Sequence, residues 1–304
     1  MPRATQDRTR VGFSQSLEPA THGWSLCAAL AVAALSVGVG TAAPFLAPRE
    51  GFATPLLRET PRALQASTPA IEDPDVTILV YHRFGPTVKN AMTVRTATFR
   101  WQLEYLKQHH RPVIPLRELI SYLRGQGPAP PSRSVVITAD DGHESVFTDM
   151  LPLVREYRVP VTLFIYPSAI SNASYAMTWQ QLDALHRTGF FDIQSHTYWH
   201  PNFKTEKRRL SPTAYRTFAT MQFVKPRIVL KDKLGVEADL IAWPFGIYDD
   251  ELIGMARDAG YSAGFTLDRR PVTGRERLMA LPRFLVTDRA SGVNFTSMLP
   301  MESR

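Results

Sequence analysis

The apolar positions of this chain fall into short unbroken runs separated by segments of helical spacing. The first run, Val76-Thr77-Ile78-Leu79-Val80-Tyr81-His82, is rich in β-branched residues and lacks polar alternation, which predicts a strand buried on both faces. Phe99, Leu103 and Leu106, with Trp101 and Tyr105, then recur at helical spacing over residues 97–109. Residues 112–114 predict a short strand and 116–123 a second helix, followed by a loop carrying Gly125, Gly127, Pro128, Pro130 and Pro131. Further strands are predicted over 135–138, 161–165, 192–195, 240–243, 262–266 and 281–286. Helices are predicted over 145–157, 178–188, 211–234 and 249–259, the third interrupted near Pro226. Thr178 is a predicted N-cap and Gly189 a stop signal. Alternation on this scale predicts an α/β fold on a parallel sheet, either doubly wound or closed as a barrel.

The polar residues that interrupt this pattern sit where predicted strands end: His82, the Asp140-Asp141 pair, His196 and the Pro244-Phe245-Gly246 turn. In a barrel these ends share one face, so residues distant in sequence converge there. Neighbouring carboxylates repel unless a cation or a proton-transfer task holds them together. Two imidazoles four residues apart, His196 and His200, can join one carboxylate around a divalent ion and leave room for water. The second carboxylate is then free to act as a base. The pattern points to a metal-dependent hydrolase.

Composition changes the picture in three places. The 304 residues, 44% of them apolar, suffice for one substantial core. The net charge is +7, but no dense Lys/Arg run with interleaved aromatics appears, so no nucleic-acid partner is expected, and residues 204–209 are predicted as a solvated basic loop. Cys27 is the only cysteine, which excludes an intrachain disulfide and a cysteine-ligated zinc site. It lies in the apolar segment 24–43, preceded by Arg3, Arg8 and Arg10 and closed by Gly40, Thr41, Ala42 and Ala43. Residues 1–43 therefore predict a signal peptide, cut after Ala42, or a signal anchor retained in a membrane through 24–43. Either implies export to the periplasm, cell envelope or exterior. Residues 44–74, with six prolines, predict a linker. The domain is expected over 75–290 and a C-terminal tail over 291–304. Oligomeric state leaves no signature in the sequence.

Thr138-Ala139-Asp140-Asp141-Gly142 resembles the first motif of the polysaccharide deacetylase family, the NodB-homology domain of carbohydrate esterase family four, whose usual form is Thr-Phe-Asp-Asp-Gly. His196-Thr197-Tyr198-Trp199-His200 is similar to its second motif and Ala242-Trp243-Pro244-Phe245-Gly246-Ile247-Tyr248 to its third. The resemblance covers roughly residues 75–288 and implies a distorted (β/α) barrel of about seven strands. It implies that Asp140 is the catalytic base, that Asp141, His196 and His200 hold a divalent metal, Zn²⁺ first with Co²⁺, Ni²⁺ or Fe²⁺ as alternatives, and that the backbone N–H of Phe245, after Pro244, stabilises an oxyanion. Trp243 stands where many members carry an arginine that orients the base, and is counted with Phe245 and Pro244 on the substrate side. Members often take their general acid from a C-terminal histidine, yet no histidine follows His200 in this sequence. Tyr81-His82 instead is similar to the branch of poly-β-1,6-N-acetylglucosamine deacetylases, which implies His82 as the acid. The implied activity is removal of N-acetyl groups from an N-acetylglucosamine-containing polysaccharide, with release of acetate. Peptidoglycan, chitin oligomers or another acylated glycan are alternative substrates, and a non-catalytic glycan-binding protein on the same fold is the alternative function.

Overall fold

The protein is described by a computed structural model over residues 75–299. The predicted signal or anchor at 1–43, the linker at 44–74 and residues 300–304 of the predicted tail lie outside the described residues. The strands are β1 (Thr77–Tyr81), β2 (Arg83–Gly85), β3 (Thr93–Arg95), β4 (Val135–Asp140), β5 (Val161–Ile165), β6 (Phe191–Ser195), β7 (Leu240–Ala242), β8 (Ala263–Phe265) and β9 (Phe284–Leu285). The α-helices are α1 (Thr96–Gln108), α2 (Leu116–Leu123), α3 (Leu151–Tyr157), α4 (Trp179–His186), α5 (Phe203–Arg209), α6 (Pro212–Leu234), α7 (Asp250–Asp258) and α8 (Val293–Thr296).

Seven strands form one parallel sheet in the order β8-β7-β6-β5-β4-β1-β9, while β2 and β3 pair separately. Every residue of β1, β4 and β5 is buried, as the unbroken apolar runs predict. One face, with Leu79, Ile137, Leu163 and Ile193, packs with Phe99, Leu103 and Leu106 of α1 and Leu182 and Leu185 of α4. Side chains of opposite parity, including Ile78, Val136, Phe164, Ala242 and Phe265, share a second core with Leu116, Leu119 and Ile120 of α2. The segment before β9 closes the curl. Leu281 exchanges backbone hydrogen bonds with Gly264 and Thr266 beside β8, and Val286 then donates to Val80 of β1. The result is the distorted seven-strand barrel expected of the resemblance.

Several predicted elements shift. Residues 112–114 make only an isolated bridge, Val113 to Val135, because the chain bends directly into α2. The predicted helix over 145–157 is a π-helical turn, Val146–Met150, followed by α3. The interruption near Pro226 does not occur. The α6 helix runs through this buried proline, and the buried Phe223 and Leu230 on either side offset a local penalty of about 3 kcal/mol. The basic segment 204–209 is helix α5 rather than loop. Asn202 caps it by accepting from Thr205 N–H, Phe203 and Glu206 are buried, and Lys207 pairs with Asp249 and Glu251. The expected domain boundary at 290 also falls short, since Phe295, Met298 and Leu299 enter the main core and Thr77 Oγ1 donates to Met298 O at 2.8 Å. Among the described residues no helix is long and apolar enough to cross a membrane.

Candidate active site

The β4 strand runs two residues further than its apolar run and ends on Asp140. Alternation places Thr138 and Asp140 on the side of Val136, toward the barrel interior. Asp141 and Gly142 then both take positive φ, 73° and 74°, turning the chain sharply outward. Gly142 is required twice over: besides its φ, an added Cβ would lie 3.0 Å from Ile170 Cδ1. The turn splits the carboxylates by environment, Asp140 fully inside and Asp141 partly exposed.

His196 follows the last residue of β6. Its Nδ1 lies 2.8 Å from the Ala242 carbonyl, which can only accept, so Nδ1 carries the proton and Nε2 presents a lone pair. That Nε2 is 3.7 Å from Asp141 Oδ1 and 3.9 Å from Asp140 Oδ2, and His200 Nε2 is 3.8 Å from Asp141 Oδ1. Thr197 and His200 reach these positions with φ of 66° and 60°. The loop is held by Gln222 Oε1 of α6, which accepts from the Tyr198 and Trp199 N–H groups, and by Thr197 Oγ1, which accepts from His200 N–H. Burial, chiefly, and the nearby His196 push the His200 imidazole toward its neutral form.

Asp141, His196 and His200 thus offer three ligand atoms within 4.8 Å of one another, a group able to hold a metal ion. Asp141 Oδ1 is buried without a hydrogen-bond partner among the described residues, which fits a cation between these atoms. The donor set, two neutral imidazoles and a carboxylate, suits a divalent ion with a position left open.

Asp140 has a partner that the sequence pattern did not reveal. Arg283, one residue before β9, donates from Nη1 and Nη2 to its two carboxylate oxygens at 2.8 and 2.7 Å. Further bonds from Arg283 to Thr138 Oγ1 and Thr266 O fix the guanidinium, which lies over the Phe164 ring. Burial alone would raise the Asp140 pKa, but the Arg283 charge, with His196, outweighs it and holds the carboxyl at about 2. A signal was present: Arg283 is a lone charge inside Leu281-Pro282-Arg283-Phe284-Leu285-Val286, and a buried arginine requires an anionic partner.

Trp243 does not occupy the substrate side. It is fully buried among Phe223, Tyr261 and their neighbours, and its Nε1–H is taken by the Met279 carbonyl at 2.9 Å. Its role at the site is indirect, as the residue before the turn. Pro244 is buried and opens that turn. Phe245 projects from it, 57% exposed, with φ of 57° and its ring 4.5 Å from His200. The Phe245 N–H donates to no backbone carbonyl among the described residues. Left-handed backbone at four non-glycine residues, Asp141, Thr197, His200 and Phe245, concentrates strain around the group.

His82, mostly buried after β1, has its Nδ1 without a hydrogen-bond partner among the described residues. Burial lowers its pKa, opposed by the Asp140 and Asp141 charges. Asp288 pairs with Arg95 and accepts from Thr98. His143 is half-buried and bonded to Ser145. Trp179 packs partly buried against the main core.

The parallel barrel carries Asp-Asp-Gly, His-x-x-x-His and a proline turn at its strand ends, and residues 127–264 match the family described as polysaccharide deacetylase. The chain is 28% identical over 208 residues to the poly-β-1,6-N-acetyl-D-glucosamine N-deacetylase of Staphylococcus epidermidis, covering 67% of this chain and 71% of that protein. Its fold is shared with the Streptococcus pyogenes deacetylase PplD, at a TM-score of 0.66 and 20% identity over 75% of this chain and all of that one. It is shared also with IcaB from Ammonifex degensii, at 0.62 and 24% over 72% and 94% of the two chains.

Proposed function

We propose that the protein is a metal-dependent N-deacetylase acting on an N-acetylglucosamine-containing polysaccharide, with a poly-β-1,6-linked polymer as the favoured substrate. The observation that carries this reading is the buried, Arg283-tethered Asp140 carboxylate standing beside the Asp141, His196 and His200 group on one end of the barrel. The likeness to the staphylococcal enzyme supports the choice of polymer.

Held by Asp141, His196 and His200, a divalent cation, Zn²⁺ by its donor set, would supply Lewis acidity toward a carbonyl oxygen and a water. Asp140 accepts the proton of the attacking water as the new C–O bond forms on the acetamide carbon. Its bidentate contact with Arg283 keeps it ionised and fixes its orientation. The oxyanion that develops is stabilised by the Phe245 N–H. His82 returns a proton to the amine nitrogen as the C–N bond breaks, giving acetate and glucosamine. The basic, apolar and small-residue order of residues 1–43 supports an exported protein.

The test is acetate release from poly-β-1,6-N-acetylglucosamine, peptidoglycan and chitin oligomers by metal-stripped protein before and after Zn²⁺ or Co²⁺ is restored. Metal-dependent release, highest on the first polymer, is expected. Release from another polymer alone would move the substrate, and glycan binding without release under any metal would refute the enzyme.

A further inference from the structure

Both imidazoles of the metal-ligand group sit on one short segment, His196 to His200, and bringing them together strains its backbone. Thr197 and His200 take φ of 66° and 60°, values that persist only where the surroundings over-determine them. The N–H groups of the segment show what does so. His196 N–H goes to Ile165 O at 2.8 Å, Thr197 N–H to Ser195 Oγ at 3.2 Å and His200 N–H to Thr197 Oγ1 at 3.1 Å, all on β5, β6 or the segment itself. The two central N–H groups, of Tyr198 and Trp199, converge instead on a single acceptor from a distant helix, Gln222 Oε1 of α6, at 3.2 and 3.1 Å.

Gln222 is fully buried, and its amide nitrogen meets only the Met221 sulfur, at 3.8 Å, among the described residues. Its oxygen takes two donors, so the acceptor is the half of the amide that the site uses. Neighbouring turns of α6 add two contacts to the same pair of residues. Phe218, one turn before Gln222, meets the Trp199 ring edge-on at 5.7 Å. Lys225 Nζ, one turn after, lies 3.9 Å from the centre of the Tyr198 ring. Positions 218, 222 and 225 share one helix face, which therefore grips the segment at its middle, between the two imidazoles.

We propose that Gln222 is a positioning residue for the metal-ligand group: its side-chain oxygen, with Lys225 beside it, holds the spacing of His196 and His200 and thereby sets the affinity for the divalent ion. Neither side chain belongs to the ligand group, so the effect passes through residues 198 and 199. Without the acceptor, two N–H groups lose their partner and the strained segment is free to relax, which moves both imidazoles relative to Asp141. This inference rests on the metal-dependent reading proposed above.

The experiment measures the Zn²⁺ dissociation constant of the full chain by competition with a chelator. The absorption spectrum of the Co²⁺-loaded protein and the thermal midpoint of the metal-free protein are recorded beside it. Gln222→Leu removes the acceptor at similar size and is expected to weaken Zn²⁺ binding by about tenfold and to alter the Co²⁺ spectrum. Gln222→Glu keeps an oxygen in place and is expected to restore most of the affinity. Lys225 is exposed, so Lys225→Ala leaves the core intact; it is expected to weaken Zn²⁺ binding by about threefold. An unchanged dissociation constant and spectrum in Gln222→Leu, even with a lowered thermal midpoint, would reduce Gln222 to a structural residue and overturn the proposal. Equal losses in the leucine and glutamate variants would overturn it too, since the oxygen would then not be what matters. Should Gln222→Leu fail to fold, Lys225→Ala decides: weaker binding upholds the role, and wild-type affinity overturns it. A wild type that takes up no Zn²⁺ would instead overturn the metal-dependent reading, and the positioning role with it.

Discussion

Arg283 Nη1 and Nη2 grip the two oxygens of Asp140, and both side chains are buried. The pair joins the residue just before β9 to the residue that ends β4. Closure of the fold and orientation of the carboxylate are therefore one interaction. Arg283→Met should leave Asp140 buried and unpaired, costing about 3–5 kcal/mol of stability. Burial would then act unopposed and raise the Asp140 pKa, moving the acid limb of the pH–rate profile upward. Denaturant titration and a kcat/KM profile check both. Arg283→Lys keeps the charge but not the fork, and should recover stability more than rate.

The Asp140 carboxyl also links stability to pH. Its folded pKa, about 2, lies below the ordinary aspartate value of about 3.9. The folded state thus binds the proton less readily than the unfolded one, so its contribution is complete above about pH 4 and disappears as pH falls toward 2. The magnitude is about 2.5 kcal/mol. The difference in unfolding free energy between wild type and Asp140→Asn should be flat above pH 4 and shrink by about that amount at pH 2. A difference that grows on acidification would contradict the pairing.

Phe245 separates backbone from side chain. Its N–H is the proposed donor, so Phe245→Ala should keep kcat within about tenfold, against the 10²–10³ expected for loss of an oxyanion donor. Because φ is 57°, Phe245→Gly should be more stable than Phe245→Ala by about 1 kcal/mol. Steady-state kinetics and thermal unfolding check the two halves. A hundredfold loss in the alanine variant would assign the chemistry to the ring.

His82→Ala should slow acetate release by about 10²–10⁴ while leaving the metal in place, since His82 lies outside the three-ligand group. Elemental analysis beside the rate measurement tests this. Loss of the metal would make His82 a ligand, and an unchanged rate would remove it from the reaction.

The division between what was legible in the sequence and what was not follows from how each feature is written in the chain. Strands β1, β4 and β5 are continuous apolar runs, and Asp140, Asp141, His196 and His200 stand at strand ends, so local pattern and motif suffice for them. The Asp140–Arg283 contact spans 143 residues and depends on the seam between β8, β9 and β1, which no local pattern encodes. The same holds for Trp243. A motif position suggests the site, but the close approach to Gly264, where a Cβ would lie 2.7 Å from the indole nitrogen, seats the ring in the core. Pro226 and segment 204–209 read as a break and a loop because their propensities are local, whereas the packing of Phe223, Leu230, Phe203 and Glu206 that settles them is not.

The central claim is that Asp140 accepts the proton for hydrolysis beside a cation held by Asp141, His196 and His200. It is tested most directly by acetate released from poly-β-1,6-N-acetylglucosamine by the Zn²⁺-loaded wild type and Asp140→Asn, with bound metal measured in both. Release by the wild type, a fall of at least about 10²-fold in the variant, and equal metal content are predicted. Equal rates in the two proteins, or no release by the metal-loaded wild type, would contradict it.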